Sequence, residues 1–236
     1  QADNVFFSIE PWTERYRSWF PNATVSSLPV GSNMPDPVTS YHEARKVLDI
    51  APDQFVAGDF GTIGPSRLLP QIRAAVNALH DRDPNLLVLY VGPHGSALRS
   101  SLGDVPFHDA GPLPGPDVSL HLAAMDIHLS PFDDGVSSRR GSCLAGLQHG
   151  VATLTTEGVH TEDLFLQPRD SALCTAPVED PGAFAQAAVD LWQDHDRRHR
   201  VAQAGRRLYE SHCDWHVVAD RLLSALQASS MVPALP

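Results

Sequence analysis

Arg139 and Arg140 stand where a helical pattern begins, after a polar turn that carries Asp133, Asp134, Gly135, Ser137 and Ser138. The start of a helix has unpaired N–H groups and a partial positive charge, so cations are disfavoured there. Two arginines at such a place, beside a glycine turn, suit an anion held by N–H groups and guanidinium forks together. The chemistry this predicts is phosphate binding. A plainer reading makes Asp133 and Asp134 turn-formers and the arginines surface cations, with no ligand.

A second turn follows the same logic. Gly61-Thr62-Ile63-Gly64-Pro65-Ser66-Arg67 joins a strand to a helix, with Arg67 expected in the first helical turn. Gly61 and Gly64 let the backbone approach a ligand closely. Taken alone, such glycines are more often ordinary turn residues. Two turns of this kind at one sheet edge, each followed by arginine, suit a diphosphate.

Both turns need elements to position them. Asp126 to Leu129 reads as a strand, helical spacing starts at Arg139, Gly150 stops that helix, and Val151 to Thr155 returns as a strand. Gln54 to Asp59 is a strand, and Arg67 to His80 an amphipathic helix burying Leu68, Leu69, Ile72, Val76 and Leu79. Leu86 to Val91 is continuously apolar, as a strand covered on both faces would be. Tyr41 to Leu48, Ser96 to Leu102 and Val118 to Met125 read as helices, Val105 to Phe107 as an edge strand, and Leu173 to Ala176 as the last strand. The alternation implies an α/β fold, a doubly wound parallel sheet whose loops bind ligands at the carboxyl edge. Three helices follow, Pro181 to Trp192, His199 to Tyr209 and Trp215 to Leu226, and residues 229–236 should fray. Before the sheet, strands at Asn4 to Ile9 and Thr24 to Val30 flank a helix with Trp12, Tyr16 and Trp19 on one face. That stripe is read as interdomain packing rather than a sugar platform. The expected division is 1–33 as a connector, 34–210 as the α/β domain, and 211–236 as a crossover helix and tail.

The 236 residues carry 17 Lys+Arg against 28 Asp+Glu, a net charge of −11, which argues against a nucleic-acid footprint. No apolar run is long enough for a transmembrane helix, leaving peripheral membrane contact open, and the first residues lack a signal-peptide pattern. Cys143, Cys174 and Cys213 are odd in number and unpaired by spacing, as in a reducing, cytoplasmic compartment. Cys143 faces the core by periodicity and should be inert. Of the twelve histidines, His195 and His199 sit at helical spacing without a clear third ligand, so no metal is expected. His94 follows a strand end with no partner for acid–base work.

On these residues the chain resembles the donor-binding, C-terminal domain of GT-B group-1 glycosyltransferases, over roughly Leu28 to Leu226. The family's G-R-L-x-x-x-K-G turn is matched by Gly61, with Thr62 in place of arginine and Arg67 in place of lysine. Its V-G-x-G is matched by Val91-Gly92-Pro93-His94-Gly95, and its P-S-x-x-E-G-F-G…E-A-x-A-x-G segment by Pro131 to Gly150. The resemblance implies a Rossmann-like domain that binds a nucleotide-diphosphate sugar through Gly61, Thr62, Arg67, Asp134, Gly135, Val136, Ser137, Arg139 and Arg140. Several of these would act through backbone N–H groups. It implies no cofactor and no metal, because protein positive charge meets the diphosphate. It also implies a missing N-terminal domain that binds the acceptor glycan or small molecule, with residues 1–21 as its last strand and helix. The given chain alone would be inactive. The family's two acidic positions fall here on Ser137 and Ala145, and the resemblance assigns no catalytic residue. The implied function is glycosyl transfer in polysaccharide biosynthesis. The alternatives are a nucleotide-sugar epimerase of the same architecture or a non-catalytic nucleotide-sugar-binding module.

Overall fold

The computed structural model describes residues 2–166 and 172–230. Most of the expected tail therefore lies outside the described residues.

The first strand β1 (Asn4–Phe7), helix α1 (Glu10–Tyr16) and strand β2 (Thr24–Ser27) form a separate two-stranded parallel sheet. After α2 (Tyr41–Val47) the main sheet begins with β3 (Val56–Phe60). There follow α3 (Leu69–His80), β4 (Leu87–Val91), α4 (Gly95–Leu102), β5 (Phe107–Asp109) and α5 (Gly115–Ala123). The second half runs through β6 (Ile127–Ser130), α6 (Gly141–Gln148), β7 (Ala152–Glu157) and β8 (Cys174–Pro177) to α7 (Pro181–Gln193). Then α8 (His195–Leu208), a π-helical turn (Tyr209–Cys213) and α9 (Trp215–Ser230) close the described chain.

The six main strands lie in the order β5-β4-β3-β6-β7-β8, every neighbouring pair parallel. The chain builds outward from β3 to β5, then crosses back to β6 and builds the other way. The direction changes between β3 and β6, the place where open α/β sheets form a crevice.

Both faces of the sheet are covered, which is why β4 reads Leu-Val-Leu-Tyr-Val without alternation. On one face Ala57, Val88, Ile127 and Leu129 pack against Ile72, Val76 and Leu79 of α3 and Phe184 of α7. On the other, Val56, Leu89 and Val91 meet Ala44 of α2 and Val118 and Leu122 of α5. Each fully buried leucine or isoleucine here contributes about 1.5–3 kcal/mol. Helix α6 lies over His128 and Thr153. A Cβ at Gly146 would overlap His128 Nδ1, so the glycine sets how closely that helix sits.

Two helices begin later than their spacing suggests. Arg67 is outside α3: its backbone forms an antiparallel bridge with Phe132, and Leu68 donates its N–H to Pro131 O at 3.3 Å. Pro70, in the first turn, fixes the start beyond it. Likewise α6 starts at Gly141 with Arg140 as N-cap, because Arg140 donates its N–H to Ser137 O in a tight turn. Helix α8 starts earlier than expected, since the Asp194 carboxylate accepts from Arg197 N at 2.8 Å and caps it.

Candidate functional site

At the carboxyl edge of the sheet the loops after β3 and β6 are bound to each other. Arg67 is 5% exposed and reaches across the crevice. It donates to Ser130 Oγ at 3.0 Å and Phe60 O at 2.8 Å, with Ser142 Oγ at 3.3 Å. Its Nη2 lies 3.4 Å from Asp59, a carboxylate on β3 that is itself 1% exposed. Burial pushes the Asp59 pKa up to about 6, against the opposing pull of Arg67. Gly61 and Gly92 bring the loops after β3 and β4 together: Gly61 N donates to Val91 O, and a Cβ at Gly92 would overlap Gly61 O. Tyr90 Oη lies 2.6 Å from the carbonyls of both Gly61 and Pro93.

The second turn carries more charge. Arg139 and Arg140 both donate to Asp134, one to each carboxylate oxygen. His160 Nδ1 lies 3.0 Å from the same carboxylate, and Asp133 is 3.5 Å from Arg140. Burial alone would raise the Asp134 pKa. Hydrogen bonds from Arg140 and His160 and the charges of both arginines outweigh it and hold the group below the ordinary carboxylate value. Aromatic rings back the arginines: the guanidinium carbons of Arg67 and Arg140 lie 4.6 Å and 4.3 Å from the Phe132 ring centre. Arg139 lies 5.1 Å from the ring centre of Trp12.

Trp12 belongs to α1, so the first sheet docks on this turn. Ser138 Oγ donates to Ser8 O at 2.8 Å, and the Glu162 carboxylate accepts from both Ser138 N and Glu10 N. The aromatic stripe therefore divides. Trp12 packs on Arg139 and His160, Tyr16 stacks on Phe7, and Trp19 is 72% exposed.

The residues expected from the sequence thus meet in one place but differ in availability. Thr62 is exposed beside the crevice, and Gly61 lines it next to Arg67 and Ser142. Gly135 has φ +89, and a Cβ there would overlap Thr161 Oγ1. Gly135 and Val136 do not offer their N–H groups outward: they donate to Phe132 O and Thr156 O. Ser137 and Ala145 are fully buried, and Ser137 Oγ has no hydrogen-bond partner among the described residues. Arg67 faces inward to Asp59, while Arg139 and Arg140 keep partly exposed side chains. His94 is exposed in a left-handed conformation at φ +69 as the N-cap of α4. Asp59, Tyr90, His160 and Glu162 went unnoticed in the sequence, although an aspartate inside the apolar run Val56-Ala57-Gly58-Asp59-Phe60 is itself an anomaly.

Among the described residues no cluster of three or more His, Cys, Asp or Glu is arranged to hold a metal ion. No helix there is long and apolar enough to cross a membrane. A groove of about 680 Å³, lined in part by Tyr41, Phe55, Asp126 and Arg198, lies at the opposite, amino edge of the sheet.

No protein-family model and no curated protein matches the sequence. Solved structures do match the fold. Sucrose-phosphate synthase from Thermosynechococcus elongatus superposes with a TM-score of 0.76 at 17% identity, over 97% of this chain and 58% of that one. HepE from Anabaena, in complex with UDP and glucose, gives 0.74 at 14% identity over 96% and 63%. The fold is the one seen in the C-terminal domain of GT-B group-1 glycosyltransferases. The C-terminal domain of a group-1 glycosyltransferase from Francisella tularensis, LpcC, gives 0.62 at 15% identity, over 77% of this chain and 97% of that domain. This chain spans about three fifths of the length of the first two neighbours.

Proposed function

We propose that this chain is the donor half of a glycosyltransferase, binding a nucleotide-diphosphate sugar at the β3–β6 crevice. The observation that carries the reading is the meeting of two glycine turns and three arginines at the point where the sheet order reverses, in a fold shared with a UDP-bound neighbour. Arg139 and Arg140, on the exposed side, would take the diphosphate together with the N–H groups of the first turn of α6. Such charge stabilises a departing diphosphate without a metal. Arg67 holds the floor by locking Phe60, Ser130 and Ser142 together. The acceptor, a glycan or small molecule, would bind a further domain, to which the β1–α1–β2 unit belongs. The setting is cytoplasmic, in keeping with three buried cysteines outside any disulfide.

One observation favours a binding module without turnover: Ser137 and Ala145 stand in the family's carboxylate positions, both buried. The two readings share the donor site and differ in hydrolysis or transfer once an acceptor half is present.

The test is thermal stability with UDP, GDP, dTDP and ADP. A ligand at about 100 times its dissociation constant adds about 2.7 kcal/mol. A shift with one nucleotide that Arg140→Ala removes is the expected result. No shift with any of the four, on this chain and on one extended by an acceptor domain, refutes the reading.

A further inference from the structure

The turn that should attract an anion already contains one. Asp134 takes one guanidinium N–H from Arg139 and one from Arg140, on separate carboxylate oxygens, with His160 as a third donor. With Asp133 beside Arg140, two carboxylates face two arginines, so these four side chains have no net positive charge to offer.

We propose that Asp134 is an internal stand-in for the ligand's anionic group, and that a nucleoside diphosphate gains Arg139 and Arg140 only by displacing it. This rests on the donor-site reading above and adds its regulation. Three observations support displacement over permanent pairing. The arginines have other supports: Arg140 has the Phe132 ring and Ser66 Oγ at 3.3 Å, and Arg139 has the Trp12 ring. They stay positioned when the carboxylate leaves. The Asp134 side chain is 18% exposed, at the rim, so it can turn toward solvent without crossing the core. Last, the deeper cation, Arg67, is committed to Asp59 and three oxygen acceptors. Arg139 and Arg140 are thus the arginines of these two turns that a ligand can recruit.

The contact acts as a filter. A singly charged anion exchanges one negative charge for another at no gain, whereas a diphosphate brings more charge and more acceptor oxygens than Asp134 supplies. The alternative is that Asp134 stays with the arginines and orients them, in which case its removal weakens binding.

Calorimetric titration of UDP and of inorganic pyrophosphate into wild type and Asp134→Asn decides between these. Asparagine keeps the shape and removes the charge. The expected result is affinity about tenfold higher in the variant for both probes, as fits loss of a charge that competes for the two arginines at a partly exposed site. Binding seen only in the variant carries the same meaning. If wild type binds and the variant binds equally or more weakly, the stand-in is refuted and the donor-site reading stands. If neither protein binds either probe, on this chain and on one extended by an acceptor domain, both fall. Should Asp134→Asn melt early, Asp134→Ser reads the same difference.

Discussion

Arg67→Met removes the cation from the floor of the crevice and leaves Asp59 facing a thioether. Both partners are almost fully buried, so the loss strands a carboxylate in the interior, at a cost of about 3–5 kcal/mol near neutral pH. The cost has a pH signature. The Asp59 pKa is already raised from 3.8 to about 6 by burial, so the folded chain holds this proton more tightly than the unfolded one. Stability from that proton, about 3 kcal/mol, is fully present below the unfolded value and lost as pH rises through the folded one. Without Arg67 the main opposing pull is gone and the folded pKa climbs further. Near pH 5 Asp59 is protonated in both proteins, and the variant lacks only hydrogen bonds and packing. Near pH 8 the wild type keeps an ion pair that the variant cannot make, so the destabilisation there should exceed that near pH 5 by about 2 kcal/mol. Urea unfolding followed by tryptophan fluorescence at the two pH values measures it. Equal destabilisation at both, or an Asp59→Asn change that leaves the pH slope of Arg67→Met intact, refutes the argument.

Gly146→Ala places a methyl group onto His128 Nδ1 and within 2.8 Å of Thr153 Oγ1, which forces α6 away from the sheet. Overpacking of this kind costs about 1–3 kcal/mol, read as a lower melting temperature. The cysteines should resist modification, since all three are buried and burial pushes the Cys143 and Cys213 thiols up to about 12. A maleimide should label none in the native chain and all three in urea, and native labelling at Cys143 would contradict its place on the buried face of α6.

Much of the architecture was legible because it is written in local periodicity. The unbroken apolar run of β4, the three-and-four spacing of α3 and the glycine that ends α6 at φ +62 each report their own surroundings. The two arginine turns were legible for the same reason, as strand, glycine, helix in sequence. What could not be read is how their charges are partnered. Arg67 looks like a ligand cation until Asp59, eight residues earlier, is seen to share its interior. Arg139 and Arg140 seemed misplaced at a helix start, and the reason they are tolerated is Asp134, whose carboxylate folds back over them. The Trp12 contact with Arg139 joins elements more than a hundred residues apart, and no periodicity encodes it.

The reversal of strand order between β3 and β6 also governs when the crevice exists. Arg67 and Ser130 are 63 residues apart, and the β3–β6 pairing closes only after β4, β5 and three crossover helices have been made. Contacts of such sequence separation are slow, since loop closure must precede any reward from pairing. A nascent chain that has released β3 through β5 would carry half a sheet, with Arg67 and Asp59 exposed at its open edge. Arrival of β6 buries that pair and assembles the crevice, so the ligand binding proposed for it would appear late in folding and report that the sheet is whole.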